Sequence, residues 1–218
     1  MESRVGSLEG RHETMMLPPW DRHFSPLGHY GLLFFMTALS FCEKKERMVD
    51  VGAHIGFYTA HALRNFESVL SFEPHPELFE CLRQNCVRAE IRQKGLWSTS
   101  GRGTLVIRKA TNSGSGEMTV DPSGMVELST LDEEIGDMEV SMLKIDVQGA
   151  EIEVLKGAER TLERTKPVVL CEGRANGPEE RYLRSLGAHI CVRVGQDFVA
   201  GWNRLCEHAA FISMPEYR

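Results

Sequence analysis

No stretch of the 218-residue sequence is long enough to cross a bilayer as a helix. The longest apolar run, around residues 31–39, is interrupted by Thr37 and falls well short of the about 20 residues a span requires. Positive charge is scarce: 25 Lys and Arg stand against 31 Asp and Glu, a net charge of −6. A protein built chiefly to coat nucleic acid is usually basic overall, so that class is disfavoured. Cysteine is limited to six, at 42, 81, 86, 171, 191 and 206, without a CxxC pair or a Cys/His zinc spacing. That excludes a dense disulfide framework and predicts free buried thiols in a reducing, cytoplasmic compartment. Residues 1–11 mix charges and lack the apolar block of a secretory signal. There is no internal repeat and no linker dividing two domains.

What is present is an ordinary globular composition, 42% hydrophobic with 20 Gly, long enough to bury a core without staples. Residues 1–26, rich in His, Met, Pro and charge, read as an irregular arm. Residues 27–46 suit an amphipathic helix with a solvated Glu-Lys-Lys-Glu end. A beat of short apolar runs and helical patterns follows. Strands are expected at 48–51, 69–72, 91–96, 141–147, 167–172, 189–194 and 209–214. Helices are expected from Gly56 to Arg64, over 76–88, over 149–164 and over 179–186. Such alternation predicts an α/β sheet, mostly parallel, with one antiparallel edge strand. Five glycines within 98–127 break the beat and predict an exposed hairpin or flexible loop. Residues 1–46 are expected to pack as arm and helix on a domain formed by 47–218, one globular unit overall.

The strongest local motif is Met48-Val-Asp-Val-Gly-Ala-His-Ile-Gly56, a strand entering a glycine turn and then a helix. Glu73 closes the next strand, where an acidic side chain suits a ribose diol. A dinucleotide fingerprint G-x-G-x-x-G counted from Gly52 fails, with His54 and Phe57 at its second and third glycine places. An acid before the turn suits a cationic ligand better than a pyrophosphate. Asp50 is therefore assigned to the amino-acid end of S-adenosylmethionine and Glu73 to its ribose. Gly52, His54 and Gly56 shape the turn, and Leu96, Trp97 and Ser98 at the third strand's end are placed near the adenine. The second motif, Leu143-Lys-Ile-Asp-Val-Gln-Gly-Ala-Glu-Ile-Glu-Val-Leu-Lys-Gly-Ala158, brings its strand to the same sheet edge at Asp146.

With Phe72-Glu-Pro-His-Pro76, Thr130-Leu-Asp132, Val154-Leu-Lys-Gly-Ala158 and Glu172 added, the sequence resembles the FkbM-type family of S-adenosylmethionine-dependent methyltransferases from about residue 48 to 173. The resemblance implies a class I methyltransferase (Rossmann-like) fold. That fold has a mostly parallel seven-stranded sheet with one antiparallel edge strand and helices on both faces. It also implies methyl transfer to a hydroxyl, with sugars and polyketide hydroxyls among the family's acceptors. Two positions depart from the family pattern: Gln148 stands where Glu is usual, and His54 where Asn is commoner.

Asp146 is the first candidate for the base that takes the hydroxyl proton. Lys144 either lowers the hydroxyl's pKa or pairs with a carboxylate. Glu151 and Glu172 are placed for substrate or site contact. Asp146, with Glu172 and Glu151, forms an oxygen set for a divalent cation, although no cation is favoured. His75 lies beside Glu73, and Trp20, Asp21 and His23 are candidates for a lid. The expected activity is O-methylation of a sugar, glycan or other small-molecule hydroxyl. One alternative is an RNA 2′-hydroxyl methyltransferase, since Lys144, Asp146, Lys156 and Glu172 superficially resemble the Lys-Asp-Lys-Glu set of such enzymes. Another is a module that binds S-adenosylmethionine without catalysis.

Overall fold

The structure, a computed structural model, describes residues 4–8, 13–21, 29–109, 111–209 and 212–214. It begins with an antiparallel ribbon of β1 (Arg4–Leu8) and β2 (Glu13–Leu17). Next come α1 (His29–Ser40), β3 (Arg47–Val51), α2 (Phe57–Ala62), β4 (Ser68–Phe72), α3 (Pro76–Asn85) and β5 (Glu90–Arg92). The chain then forms β6 (Gly95–Leu96), β7 (Gly101–Ile107), β8 (Gly116–Val120) and β9 (Val126–Ser129). It returns through α4 (Leu131–Ile135), β10 (Met142–Ile145), α5 (Glu151–Lys156), α6 (Glu159–Thr165), β11 (Val168–Glu172) and α7 (Pro178–Ser185). It closes with β12 (His189–Val194), β13 (Asp197–Gly201), α8 (Arg204–His208) and β14 (Ile212–Met214).

The main sheet runs β14-β12-β13-β11-β10-β3-β4-β5, and its stretch from β11 to β5 is parallel throughout. The expected mostly parallel α/β architecture is therefore present, with two corrections. Among the described residues this sheet has eight strands rather than seven, and its antiparallel strand is internal rather than at the edge. Gly195, at φ 60°, and Gln196 turn β12 back on itself, so β13 slots between β12 and β11. β14 then adds outside β12. The sequence reading passed over residues 197–201, whose Phe198, Val199 and Ala200 are fully buried.

Strand alternation separates two cores. Val49, Val51, Leu143 and Ile145 face α5, α6 and α7, whereas Met48 and Met142 face Phe34, Phe35 and Ala38 of α1. Each Leu or Phe so buried contributes about 1.5–3 kcal/mol. The piece Thr130-Leu-Asp132 proves to be capping chemistry. Thr130 Oγ1 accepts the Glu133 N–H at 3.1 Å, and Asp132 accepts the Arg160 and Thr161 N–H groups that open α6.

The segment 98–127, expected to form an exposed hairpin or flexible loop, supplies most of a second, four-stranded sheet ordered β6-β9-β7-β8. Its β7–β8 pair is the anticipated hairpin. The arm is also more regular than expected. Met15 and Leu17 of β2 are buried against Ile55, Leu78 and Cys81. Asn85 Nδ2 donates to the Met16 carbonyl, and Asn85 Oδ1 accepts the Met16 N–H. Among the described residues, no helix is long and apolar enough to cross a membrane.

Candidate active site

Three turns leave the carboxyl ends of β3, β4 and β10 side by side and wall a cavity of about 300 Å³. The opposite wall comes from the second sheet, through Leu105, Ile107 and Met118, and from the 113–115 turn between β7 and β8. An open α/β sheet holds ligands at this edge, and the size suits a small-molecule site. Glu73, Gly52, His54, Leu96, Lys144 and Asp146 of the expected set line it.

Glu73 follows the last residue of β4 and is buried. Its Oε2 accepts the His54 N–H and its Oε1 accepts the His75 N–H, both at 2.9 Å. Burial pushes its carboxyl up to about 7, against the pull of those two N–H bonds. Each oxygen retains a lone pair, so the carboxylate can accept a further pair of donors.

The β3–α2 turn needs a left-handed residue at Gly52, φ 74°, and its tight fit excludes a side chain there. Both glycine-turn amides, Gly52 and Ala53, donate to the Phe72 carbonyl at 3.1 and 2.9 Å. His54 is also left-handed, at φ 57°, an uncommon conformation for a residue with a β-carbon. Its Nε2 bonds the Ser113 hydroxyl, which donates onward to Asp21 Oδ2. One chain of polar groups thus joins the arm, the glycine turn and the β7–β8 turn at the cavity wall. Burial lowers the His54 pKa to about 4, although Asp21 and Asp146 act to raise it.

The turn after β10 carries Asp146 at the cavity and Gln148 in the left-handed region, φ 59°. Gln148 Nε2 donates to Asp146 Oδ1 at 2.8 Å and reaches Glu172 Oε2 at 3.5 Å. Glu151 is buried beneath the turn, where its carboxylate accepts the Val147 and Gly149 N–H groups. Glu172 is half-buried. Desolvation, then repulsion from Asp146, Glu151 and Asp197, pushes it up to about 7. Asp146, Glu151 and Glu172 present oxygens within 4.8 Å of one another, a donor set of the kind a hard cation takes.

Several expected residues stand elsewhere. Asp50 is wholly buried beneath the turn instead of facing the cavity. Its Oδ2 accepts from Thr59 Oγ1 at 2.7 Å and its Oδ1 lies 3.1 Å from Lys144 Nζ. Gly56, also buried, serves as the N-cap position of α2. Glu151 and Glu172 sit behind the β10 turn and do not line the cavity. Trp97 and Ser98 do not line it, because the chain leaves the main sheet after β5 and β6 pairs with β9 of the second sheet. The Trp97 carbonyl packs against Gly157, where a β-carbon would lie 2.0 Å away, and Ser98 Oγ donates to Glu153. Lys156 pairs with Glu153 at 2.7 Å on α5, so Lys144, Asp146, Lys156 and Glu172 form no single cluster at the cavity.

His75 lines the cavity with its ring 5.9 Å from that of Trp20, whose indole N–H donates to Glu77. Asp21 reaches the cavity, and His23 lies outside the described residues. Sequence reading missed Ser113, Leu105 and Met118. No periodic signal ties the hairpin to the sheet edge.

The family described as methyltransferase FkbM domain matches residues 50–192. The chain is 30% identical over 135 residues to the hexuronic acid methyltransferase AglP of Haloferax volcanii. That match takes in 59% of this chain and 56% of the relative, so it spans little more than half of that protein. Among solved structures, the methyltransferase FkbM of Methylobacillus flagellatus aligns with TM-score 0.53 and 21% identity, over 73% of this chain and 44% of that one. The Pyrococcus abyssi tRNA (uracil-54, C5)-methyltransferase, in complex with S-adenosyl-L-homocysteine, aligns with TM-score 0.53 and 14% identity. Its alignment covers 93% of this chain and 45% of that one. At these identities the two structures share the fold.

Proposed function

The chain belongs to the methyltransferase FkbM domain family, and from that premise we propose that it is an S-adenosylmethionine-dependent O-methyltransferase acting on a sugar hydroxyl. One observation carries this reading. Glu73 and Asp146, ending β4 and β10, face the same cavity from two sides of the glycine turn.

The donor set fits the cofactor. Glu73, held by two backbone N–H groups, takes the ribose diol, and Phe72 with Leu96 offers apolar surface to the adenine. When bound, the cofactor supplies a methyl group made electrophilic by sulfonium. The chain's own contribution is to line up the acceptor oxygen and take its proton. Asp146 is assigned that proton, with Gln148 orienting it by donating to Oδ1. Glu151 has a supporting role, since its carboxylate is committed to the turn amides. The sugar acceptor is supported by the relative named as acting on hexuronic acid. Turnover is expected to survive chelation of divalent cations, because Glu151 is occupied and Gln148 is neutral.

The test combines calorimetry with S-adenosylmethionine and a methyl-transfer assay on neutral hexoses, hexuronic acids and short RNA. Binding with transfer to a sugar hydroxyl is expected. Transfer to RNA alone, with steep salt dependence, would replace the sugar reading. Binding without transfer to any hydroxyl would leave a cofactor-binding module.

A further inference from the structure

Three polar side chains stand abreast across the centre of the main sheet. The register pairs Ser71 of β4 with Asp50 of β3, and Asp50 with Lys144 of β10. Their sequence neighbours Val49, Val51, Leu143 and Ile145 belong to the core on the opposite face. The row therefore points toward α2. There Thr59 closes it, sharing bonds with Asp50 Oδ2 at 2.7 Å and Ser71 Oγ at 2.8 Å. All four residues are buried. Packing alone does not call for such a row, because apolar residues of similar volume often serve a core as well as a buried ion pair.

The row ends on the cavity turn. Lys144 Nζ lies 3.1 Å from Asp50 Oδ1 and donates to the Gly52 carbonyl at 2.6 Å and the Val51 carbonyl at 3.4 Å. Two of its N–H donors go to these carbonyls, and Asp50 Oδ1 stands beside it as an ion-pair partner without a hydrogen bond of its own. Desolvation works to lower its pKa, but the charges of Asp50 and Asp146 hold it above its ordinary value. The group is thus a buried cation held at the turn by two carbonyls and one carboxylate. The Gly52 N–H is fastened to β4 through Phe72, so the turn is gripped by β4 on one side and by β10 on the other. Lys144 also lies two residues before Asp146 on the same chain segment.

We propose that Lys144 is a positioning residue. It holds the Gly52 carbonyl so that the turn stands at a fixed distance from Asp146, and Asp50 anchors Lys144 rather than touching a ligand. The proposal deepens the methyl-transfer reading and rests on it.

The test compares Lys144→Met, Lys144→Arg and the neutral pair Asp50→Asn with Lys144→Met. The readouts are amide hydrogen exchange at residues 52–54 without ligand, S-adenosylhomocysteine affinity, and the pH profile of kcat. Lys144→Met should speed exchange at the turn about tenfold and weaken affinity about 10- to 100-fold, as expected for a displaced binding turn. Lys144→Arg should recover part of both. The neutral pair should regain thermal stability without regaining affinity, and the kcat profile should keep its inflection. Wild-type exchange and affinity in Lys144→Met, with kcat lost and its inflection moved, would overturn the proposal in favour of a direct proton role. Full recovery of affinity in the neutral pair would overturn it in favour of a merely structural pair. If Lys144→Met fails to fold, Thr59→Val loosens the row from its far end, and unchanged exchange at 52–54 would refute the coupling. A wild-type protein that binds no S-adenosylhomocysteine would refute the methyl-transfer reading, which the ligand-free exchange result keeps separate from the grip on the turn.

Discussion

A β-carbon on Gly52 would lie 1.9 Å from the backbone oxygen of Asp146. The turn after β3 crosses the end of β10 in direct contact, so the two strongest sequence motifs meet backbone to backbone. Gly52→Ala must overcome both this overlap and a φ of 74°. The obstruction is backbone rather than a side chain that can swing aside. The expected cost is about 2–4 kcal/mol, read as a lower midpoint in denaturant unfolding, with cofactor affinity lost in whatever still folds. A stable variant with wild-type affinity would show that the turn has room to move.

Glu73 makes the site sensitive to pH. Folded, it keeps its proton to about pH 7; unfolded, it releases it near its ordinary 4.5. Between those values the unfolded chain binds fewer protons, so stability falls as pH rises from about 4.5 to 7 and is level above. Ligand affinity should run the other way, because the ionised carboxylate accepts a diol better than the neutral acid. S-adenosylhomocysteine is expected to bind about tenfold more tightly at pH 8 than at pH 6. Glu73→Gln should flatten that profile at weak affinity. A wild-type profile that is flat would remove Glu73 from the binding role.

Asp146 and Lys156 separate two chemistries. Asp146→Asn preserves shape and the contact with Gln148 but removes the base. It should keep cofactor binding while lowering kcat about 10²- to 10⁴-fold. Lys156→Met breaks only the pair with Glu153 at the surface of α5 and should leave kcat unchanged. Loss of kcat in both variants in steady-state kinetics would point to the RNA-type arrangement.

The parts of the site legible in the sequence were those carried by strand ends. Asp50, Glu73, Asp146 and Glu172 each close or nearly close an apolar run, and parallel strands bring such positions to one edge. Depth was harder to read. Period 2 places Asp50 and Lys144 on one face of their strands, but only the register Lys144↔Asp50 reveals that they neutralise each other below the cavity. Trp97 lies away from the cavity because the single strand expected over 91–96 is split: β5 ends in the main sheet and β6 belongs to the second, each too short to leave a pattern. The internal place of β13 depends on a hairpin turn at Gly195 whose outcome is decided by pairing with distant β11. Glu151 looked like a site carboxylate from its place in the first helical turn, and that same place lets it cap the turn before α5 instead.

The cavity's far wall rests on the link between His54, Ser113 and Asp21, residues 59 and 92 positions apart in the bonded pairs. The Ser113 hydroxyl has one proton, and it goes to the Asp21 carboxylate. His54 must therefore donate to it from Nε2, which requires the neutral tautomer protonated there. A histidine whose pKa has fallen to about 4 is neutral at pH 7 and meets that requirement. Ser113→Ala removes the shared hydroxyl and uncouples the β7–β8 turn from both the arm and the glycine turn. The loss of such a buried link is worth about 1–3 kcal/mol, and it should fall locally rather than on the main sheet. Limited proteolysis should therefore cut within residues 108–116 about tenfold faster in Ser113→Ala, consistent with that energy. Ser123→Ala, which loses only an exposed bond to Asp121, should match the wild type. If the two variants are cut alike, the hairpin is held by Leu105, Ile107 and Met118 packing alone, and the polar chain contributes nothing to closing the cavity.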